Sequence, residues 1–137
     1  MNKTIALLLL IATSSRAETI DQVQVISVYD GDTFKVNIPG VPAILGKGIP
    51  VRVFGIDTPE MKSKVPCEQQ LAKSAKALST KLLTGQKVTL LNVRRDKYFR
   101  ILADVMVNGV LLRQELIDAG LAHSYFGRTK APWKCDL

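Results

Sequence analysis

Residues 20–38, IDQVQVISVYDGDTFKVNI, predict two β-strands joined by a tight turn. From Ile20 to Tyr29 the chain is rich in β-branched residues that alternate with polar ones, which is the pattern of a half-buried strand. Asp30-Gly31 is a dipeptide typical of hairpin turns, and the stretch from Thr33 to Ile38 follows as the second strand. This hairpin is the first unit of a predicted antiparallel sheet.

Three more strands and two helices are predicted beyond the hairpin. Leu71, Ala75, Leu78 and Leu82 recur at the spacing of one helix face, and Gly85 suits the end of that helix. In chain order the predicted elements are a loop over 39–50, a strand over 51–56, a helix over 68–85, a strand over 87–93, a strand over 99–107, a helix over 110–119 and an irregular tail after 121. A sheet of five short strands often closes into a barrel, because closure removes its unpaired edges.

The composition is that of one folded domain. The chain has 137 residues, of which 47% are hydrophobic, so it can bury a core and is not wholly disordered. Its formal net charge of +7 favours a polyanionic partner or an acidic membrane surface.

The first 17 residues, MNKTIALLLLIATSSRA, predict a cleaved signal peptide. Lys3 gives a positive start, Ile5 to Ala12 is apolar, and Ser15 and Ala17 are small residues at the positions that signal peptidase reads. The apolar run is too short to span a bilayer of ~30 Å. The alternative is a buried N-terminal strand. Cleavage would leave residues 18–137 as the mature domain, secreted or periplasmic and free of the membrane.

Cys67 and Cys135 are the two cysteines of the chain. An even number of cysteines in an exported protein favours a disulfide, because the compartment is oxidising. The alternative is two unrelated thiols. A bridge would tie the tail to the middle of the chain.

Acidic residues follow two predicted strands. Asp32 lies at the hairpin turn, and Asp57 and Glu60 come directly after the third strand. Hard divalent cations bind carboxylate and carbonyl oxygens together with water, so Asp32 and Asp57 are candidate metal ligands. Glu60 is a candidate for holding or deprotonating a water. The alternative is that these acids only stabilise turns.

Two arginines extend this set. Arg52 lies on the strand that leads to Asp57, and Arg100 lies at the start of the fifth strand. A guanidinium can hold phosphate oxygens in a bidentate manner and stabilise charge in a transition state. Strand alternation puts Arg52 and Asp57 on opposite faces unless the chain bends, which Gly55 would permit. The alternative for either arginine is a plain surface position.

Three blocks of sequence resemble the staphylococcal nuclease family. They are VISVYDGDTFKV from residue 25, VRVFGIDTPE over 51–60 and RRDKYFRILADV over 94–105, and a weaker block, LIDAGLAHSY, covers 116–125. The resemblance implies an α+β, mainly β fold: a five-stranded OB-fold Greek-key barrel with two to three helices packed beside it. It also implies a monomeric, calcium-dependent nuclease that cleaves DNA and RNA and leaves 3′-phosphates.

The resemblance also implies a role for individual residues. Asp32 and Asp57 match the metal carboxylates, and Thr58 matches a ligand that acts through its backbone carbonyl. Glu60 matches a water-orienting carboxylate, and Arg52 and Arg100 match the two catalytic arginines. Lys97 and Tyr98 would touch a nucleotide phosphate. Tyr98, Tyr125 and Phe126 are candidates for stacking on unpaired bases. The basic residues expected to form a phosphate-attracting rim are Lys62, Lys64, Lys97, Arg100, Arg128 and Lys130.

Some positions depart from the family pattern. Phe99 stands where the best-known member has glycine, and for this side chain we expect packing in the barrel. The segment after Glu60 and the tail after Tyr125 also differ. The rival interpretation is a non-catalytic OB-fold module that binds nucleic acid without cutting it.

Overall fold

The predicted hairpin forms strands β1 (Ile20–Val28) and β2 (Thr33–Asn37), which pair antiparallel. This computed structural model describes residues 16–135. The predicted signal peptide, residues 1–17, therefore lies almost wholly outside the described residues. Along β2 the side chains of Phe34 and Val36 are buried, as the alternation of apolar and polar residues requires.

Five strands close into a barrel. Strands β3 (Ile49–Val53), β5 (Val88–Arg95) and β6 (Ile101–Val107) join the hairpin in the order β3-β2-β1-β5-β6. Strand β3 also pairs in parallel with β6, and this pairing joins the two ends of the sheet. The structure thus confirms the mainly β, OB-fold prediction with three helices beside the barrel.

The remaining elements are short, except for one helix. They are α1 (Ala43–Gly46), β4 (Ile56–Asp57), α2 (Pro66–Leu83), β7 (Val110–Leu111), α3 (Leu112–Asp118) and β8 (His123–Ser124). The predicted loop over 39–50 is wrong in part, because it contains α1 and because Ile49 pairs with Val36 at the start of β3. The predicted irregular tail likewise contains β8, which pairs with β4.

Helix α2 buries a face that differs from the predicted one. Its fully buried residues are Ala72, Ala75, Ser79 and Leu83, whereas Leu71, Leu78 and Leu82 are only partly buried. The cause is a close approach to the hairpin turn: a Cβ placed on Gly31 would lie 2.8 Å from the Cβ of Ala75. Only small side chains fit there, so the centre of the interface is shifted by one residue from the leucine stripe.

A disulfide links Cys67 to Cys135 in the C-terminal tail, and the predicted pairing is confirmed. The two Cα atoms are 5.9 Å apart. The bridge joins the first turn of α2 to the end of the described tail. None of the helices within residues 16–135 has the length and apolarity to cross a membrane.

Ser79→Ala is expected to destabilise the protein by about 1–2 kcal/mol. The buried Ser79 hydroxyl donates a 2.6 Å hydrogen bond to the carbonyl oxygen of Gly31, and alanine would leave that oxygen without this donor. Urea denaturation measures the effect. The control is Ser74→Ala on the exposed side of the same helix, whose hydroxyl donates to the Gln70 carbonyl and whose loss should cost less than about 0.5 kcal/mol. Equal unfolding midpoints for the two variants would contradict this role of Ser79.

Candidate active site

A pocket of about 700 Å³ lies at one end of the barrel. Its walls come from the hairpin turn, the β3–β4 turn, the turn before β6 and the tail. It is lined by every residue predicted for metal, catalytic or substrate contacts: Asp32, Arg52, Asp57, Thr58, Glu60, Lys97, Tyr98, Arg100 and Tyr125. Residues that are far apart in the sequence therefore share one cavity.

Asp32 is buried and held from two sides. Its Oδ1 accepts a hydrogen bond from the Thr33 hydroxyl at 3.0 Å, and its Oδ2 accepts one from the Thr58 backbone N–H at 3.0 Å. The second bond crosses from the hairpin turn to the segment after β4. It therefore fixes the Asp32 carboxylate beside the backbone of Thr58.

The guanidinium of Arg52 lies between the two buried aspartates. Its Nη1 is 2.8 Å from Oδ2 of Asp32, and its Nη2 is 3.8 Å from Oδ1 of Asp57. The same two nitrogens donate to the backbone carbonyls of Val53 and Ile56 at 3.2 and 3.0 Å. Both carboxylates consequently converge on one guanidinium.

The chain bends between Arg52 and Asp57. Without this bend, strand alternation would put the two side chains on opposite faces of the sheet. Strand β3 ends at Val53, and Gly55 adopts a φ of 83° before β4 begins. This left-handed conformation suits glycine, which has no Cβ to clash with the backbone. The turn reverses the alternation of faces and brings Asp57 into the pocket with Arg52.

Asp30 adds a third acid at the hairpin turn. Its Oδ1 accepts a hydrogen bond from the backbone N–H of Asp32 at 3.1 Å. Burial, together with the charge of Asp32, raises the pKa of Asp30 to about 7. The hairpin turn is thus a region of strong negative potential that favours a cation or a proton.

Lys130 reaches this acidic cluster from the tail. Its Nζ is 2.9 Å from Oδ1 of Asp57 and 3.3 Å from Oε1 of Glu60. The hydrogen bond to Asp57 raises the pKa of Lys130 above its usual value, against the opposing effect of desolvation. Sequence reasoning placed Lys130 only in a basic rim. No periodic pattern links it to carboxylates some 70 residues earlier.

Arg100 lies on another wall and pairs with Asp96. Its Nε donates to Oδ2 of Asp96 at 2.7 Å, while Oδ1 of Asp96 accepts the backbone N–H groups of Tyr98 and Arg100 at 2.8 and 3.0 Å. Desolvation is the largest single influence and raises the pKa of Asp96, but the hydrogen bonds from Arg100 and Tyr98 and the charge of Arg100 together outweigh it and hold this pKa below its ordinary value. Asp96 therefore orders the turn and fixes Arg100, and neither Asp32 nor Asp57 pairs with Arg100 in the described part of the chain.

The aromatic residues near the pocket are largely exposed. Tyr98 has the ammonium of Lys97 5.1 Å and the guanidinium carbon of Arg100 5.3 Å from its ring centroid. Phe126 packs edge-on against Phe54 with ring centroids 5.4 Å apart. The expectation that Phe99 packs in the barrel is wrong: its φ is 61° and it is 78% exposed. A turn that needs the left-handed conformation directs this side chain to solvent instead.

The side chains of the pocket could supply two carboxylates to a hard cation, and the other ligands would have to be carbonyl oxygens and waters. No group of three or more His, Cys, Asp or Glu side chains in residues 16–135 has an arrangement that could hold a metal ion. Two carboxylates, Asp32 and Asp57, share one guanidinium, and the backbone of Thr58 touches the first of them. Hard cations are often bound by a few carboxylates with carbonyl oxygens and waters, and these residues fit that kind of site.

The sequence is similar to a known protein family and to several nucleases. The profile of the family described as staphylococcal nuclease homologue matches residues 50–135. The thermonuclease of Staphylococcus hyicus is 36% identical over 108 residues, which are 77% of this chain and 60% of that protein. Endonuclease YncB of Bacillus subtilis (strain 168) is 38% identical over 96 residues, or 68% of this chain and 43% of that protein.

A fungal relative shows the same relation. The probable endonuclease LCL3 of Pyricularia oryzae is 34% identical over 122 residues, which are 74% of this chain and 48% of that protein. In all three cases the match spans less than two thirds of the relative's length. The matched segment contains both arginines of the pocket, Arg52 on β3 and Arg100 in the turn before β6. The chain belongs to the staphylococcal nuclease homologue family.

Proposed function

We propose that the protein is a metal-dependent nuclease that hydrolyses phosphodiester bonds in DNA and RNA and leaves 3′-phosphates. The observation that carries this proposal is the convergence of Asp32 and Asp57 on Arg52, in a pocket that also contains Glu60 and Arg100. Relatives named thermonuclease and endonuclease support the same reaction class. Since those relatives are longer, the activity of this chain is a proposal.

The cation site consists of Asp32, Asp57 and the backbone carbonyl of Thr58, with waters as further ligands. Calcium is the proposed ion, since these donors are all oxygens. When bound, the ion supplies positive charge beside a non-bridging phosphate oxygen. Without an ion, Arg52 neutralises the two aspartates and keeps their mutual repulsion low. An ion on the carboxylates would take over that neutralisation and leave the guanidinium able to meet a phosphate oxygen.

Glu60 is the proposed water-orienting residue. Its side chain is 67% exposed at the pocket, so water and substrate can reach it. A water oriented by Glu60 attacks phosphorus in line, and the proton of that water passes to the carboxylate. The new bond joins the water oxygen to phosphorus, the bond from phosphorus to the 5′-oxygen breaks, and the departing 5′-oxygen takes a proton from solvent water. The products are a 3′-phosphate and a 5′-hydroxyl.

The two arginines stabilise the charge that builds on the phosphoryl oxygens. Arg52 and Arg100 line the same pocket from different strands, and Asp96 anchors Arg100 through its Nε. The Nη nitrogens of Arg100 make no hydrogen bond within the described residues, so its fork is available to a phosphate. Lys97 and Tyr98 contact a neighbouring phosphate, and Tyr125 contacts a base.

The sequence and the disulfide also suggest where the protein acts. Residues 1–17 would be removed as a signal peptide and residues 18–137 would remain as a monomeric domain, secreted or periplasmic and not attached to the membrane. The Cys67–Cys135 bridge supports an oxidising compartment. The positive net charge supports a polyanionic substrate.

The rival function is a nucleic-acid-binding barrel without activity. It is the weaker candidate because Arg52, Glu60 and Arg100 are all present in the pocket, whereas binding alone does not need them. Burial of Asp32, Asp57 and Arg52 also carries a desolvation cost, and a barrel that only binds nucleic acid would gain nothing from two buried acids.

Purified protein is expected to cut plasmid DNA and RNA in the presence of calcium and to lose that activity in excess chelator. Gel electrophoresis follows the substrate, and end-labelling identifies the 3′-phosphate. Magnesium replaces calcium in a parallel reaction. Retained binding without cleavage under all of these conditions would contradict the enzyme and favour the binding module.

Arg100→Lys is expected to lower kcat by about 10²-fold or more, because an ammonium cannot replace the planar fork at the transition state. Steady-state kinetics on a labelled oligonucleotide measures the loss, and circular dichroism verifies the fold. The matched control is Arg113→Lys, whose side chain pairs with Asp104 outside the pocket and should keep kcat within about twofold. Equal rates for the two variants would rule out this role of Arg100.

A further inference from the structure

Lys130 bridges the two carboxylates that the proposed function assigns to different tasks. Its ammonium lies 2.9 Å from Oδ1 of Asp57, a proposed metal ligand, and 3.3 Å from Oε1 of Glu60, the proposed water-orienting group. No other cation in the described residues contacts Glu60 in an ion pair. The ammonium therefore occupies a position between acids where positive charge is favoured.

An ammonium and a divalent ion cannot share this position. Calcium binds carboxylate oxygens at roughly 2.3–2.6 Å, and an ammonium 2.9 Å from the same Asp57 oxygen would face the ion as a like charge only a few ångströms away. Repulsion between the two positive charges therefore favours departure of the ammonium from Oδ1 of Asp57 when an ion binds that carboxylate. We propose that Lys130 is a built-in competitor of the metal ion: it neutralises Asp57 in the metal-free protein and is displaced when the ion binds.

The tail is anchored on both sides of Lys130. Five residues before it, the backbone N–H of Tyr125 donates to the carbonyl of Gly55 at 2.9 Å. Five residues after it, Cys135 is bonded to Cys67 at the start of α2. The ring of Trp133 also lies on His123, with centroids 4.0 Å apart.

The anchors give Lys130 a high effective concentration at Asp57. A short segment held at both ends confines the ammonium near its partner, in the way that a tether strengthens a weak contact. The segment is irregular and its residues from Phe126 to Pro132 are exposed, so it can shift outward without opening the barrel core. Displacement of Lys130 by an ion therefore costs its two partly exposed ion-pair contacts and not the fold.

The consequence is that the tail lowers the affinity for the ion. In the metal-free state Lys130 screens Asp57 and Glu60 from each other, and the ion must replace that interaction. This inference rests on the proposed function, because it assumes that Asp57 is a metal ligand. It adds a residue that the proposed reaction does not use.

Calcium titration calorimetry on chelator-stripped protein, without nucleic acid, tests the proposal. Lys130→Gln is expected to bind calcium about five- to tenfold more tightly than the wild type, since the loss of a charge-assisted contact removes the competitor. Lys130→Arg keeps the charge and should stay within about twofold of the wild type. Arg128→Gln removes the same charge from the same tail without touching the carboxylates, and it should change the affinity by less than about twofold.

The melting temperature of the metal-free proteins is the second readout. Lys130→Gln is expected to melt lower than Arg128→Gln without calcium and to recover when calcium is added. Equal calcium affinities for these two glutamine variants would overturn the competitor role alone and leave the nuclease proposal standing. Absence of calcium binding by the wild type and by every variant would overturn the proposed cation site and this inference together.

Discussion

The contact on which the pocket depends is the Arg52 guanidinium between Asp32 and Asp57. The two carboxylates are nearly buried, with side chains 6% and 8% exposed, and without a shared cation they would repel each other in a medium of low dielectric. A planar guanidinium can meet both at once and still donate to the carbonyls of Val53 and Ile56. The hairpin turn and the β3–β4 turn are thereby held at one fixed separation.

The register of the barrel brings these groups together. Thr33 on β2 lies opposite Arg52 on β3, so Asp32 is one residue away from the arginine across the sheet. The parallel pairing of β3 with β6 sets Arg52 opposite Leu102, two residues after Arg100. Behind the hairpin turn, Ala75 of α2 leaves no room for a side chain on Gly31. Strand pairing therefore brings Asp32 and Arg52 together, and hydrogen bonds within the turns then fix Asp32 and Arg100.

Local patterns in the sequence predicted most of the fold and several residues that line the pocket. They did not predict close approaches between elements or ion pairs between residues far apart in the chain. Runs rich in β-branched residues, together with the turn residues that bound them, located the five barrel strands. The leucine stripe on α2 misplaced the buried face, since the small residues opposite Gly31 carry no hydrophobic signal. The exposure of Phe99 follows from a positive φ that periodicity does not encode. The ion pairs of Lys130 with Asp57 and Glu60 were missed because these partners are distant in the sequence and the segment that carries Lys130 is irregular.

The proposed phosphodiester hydrolysis depends on one interaction above all, the binding of a single ion by Asp32 and Asp57. The most direct measurement is a crystal structure of the protein grown with manganese or a lanthanide, with anomalous scattering used to locate the ion. We expect one anomalous peak in contact with carboxylate oxygens of both Asp32 and Asp57. We also expect the Lys130 ammonium to have moved away from Asp57. A peak outside this pocket, or one that touches only one of the two aspartates, would contradict the binding of one ion by both.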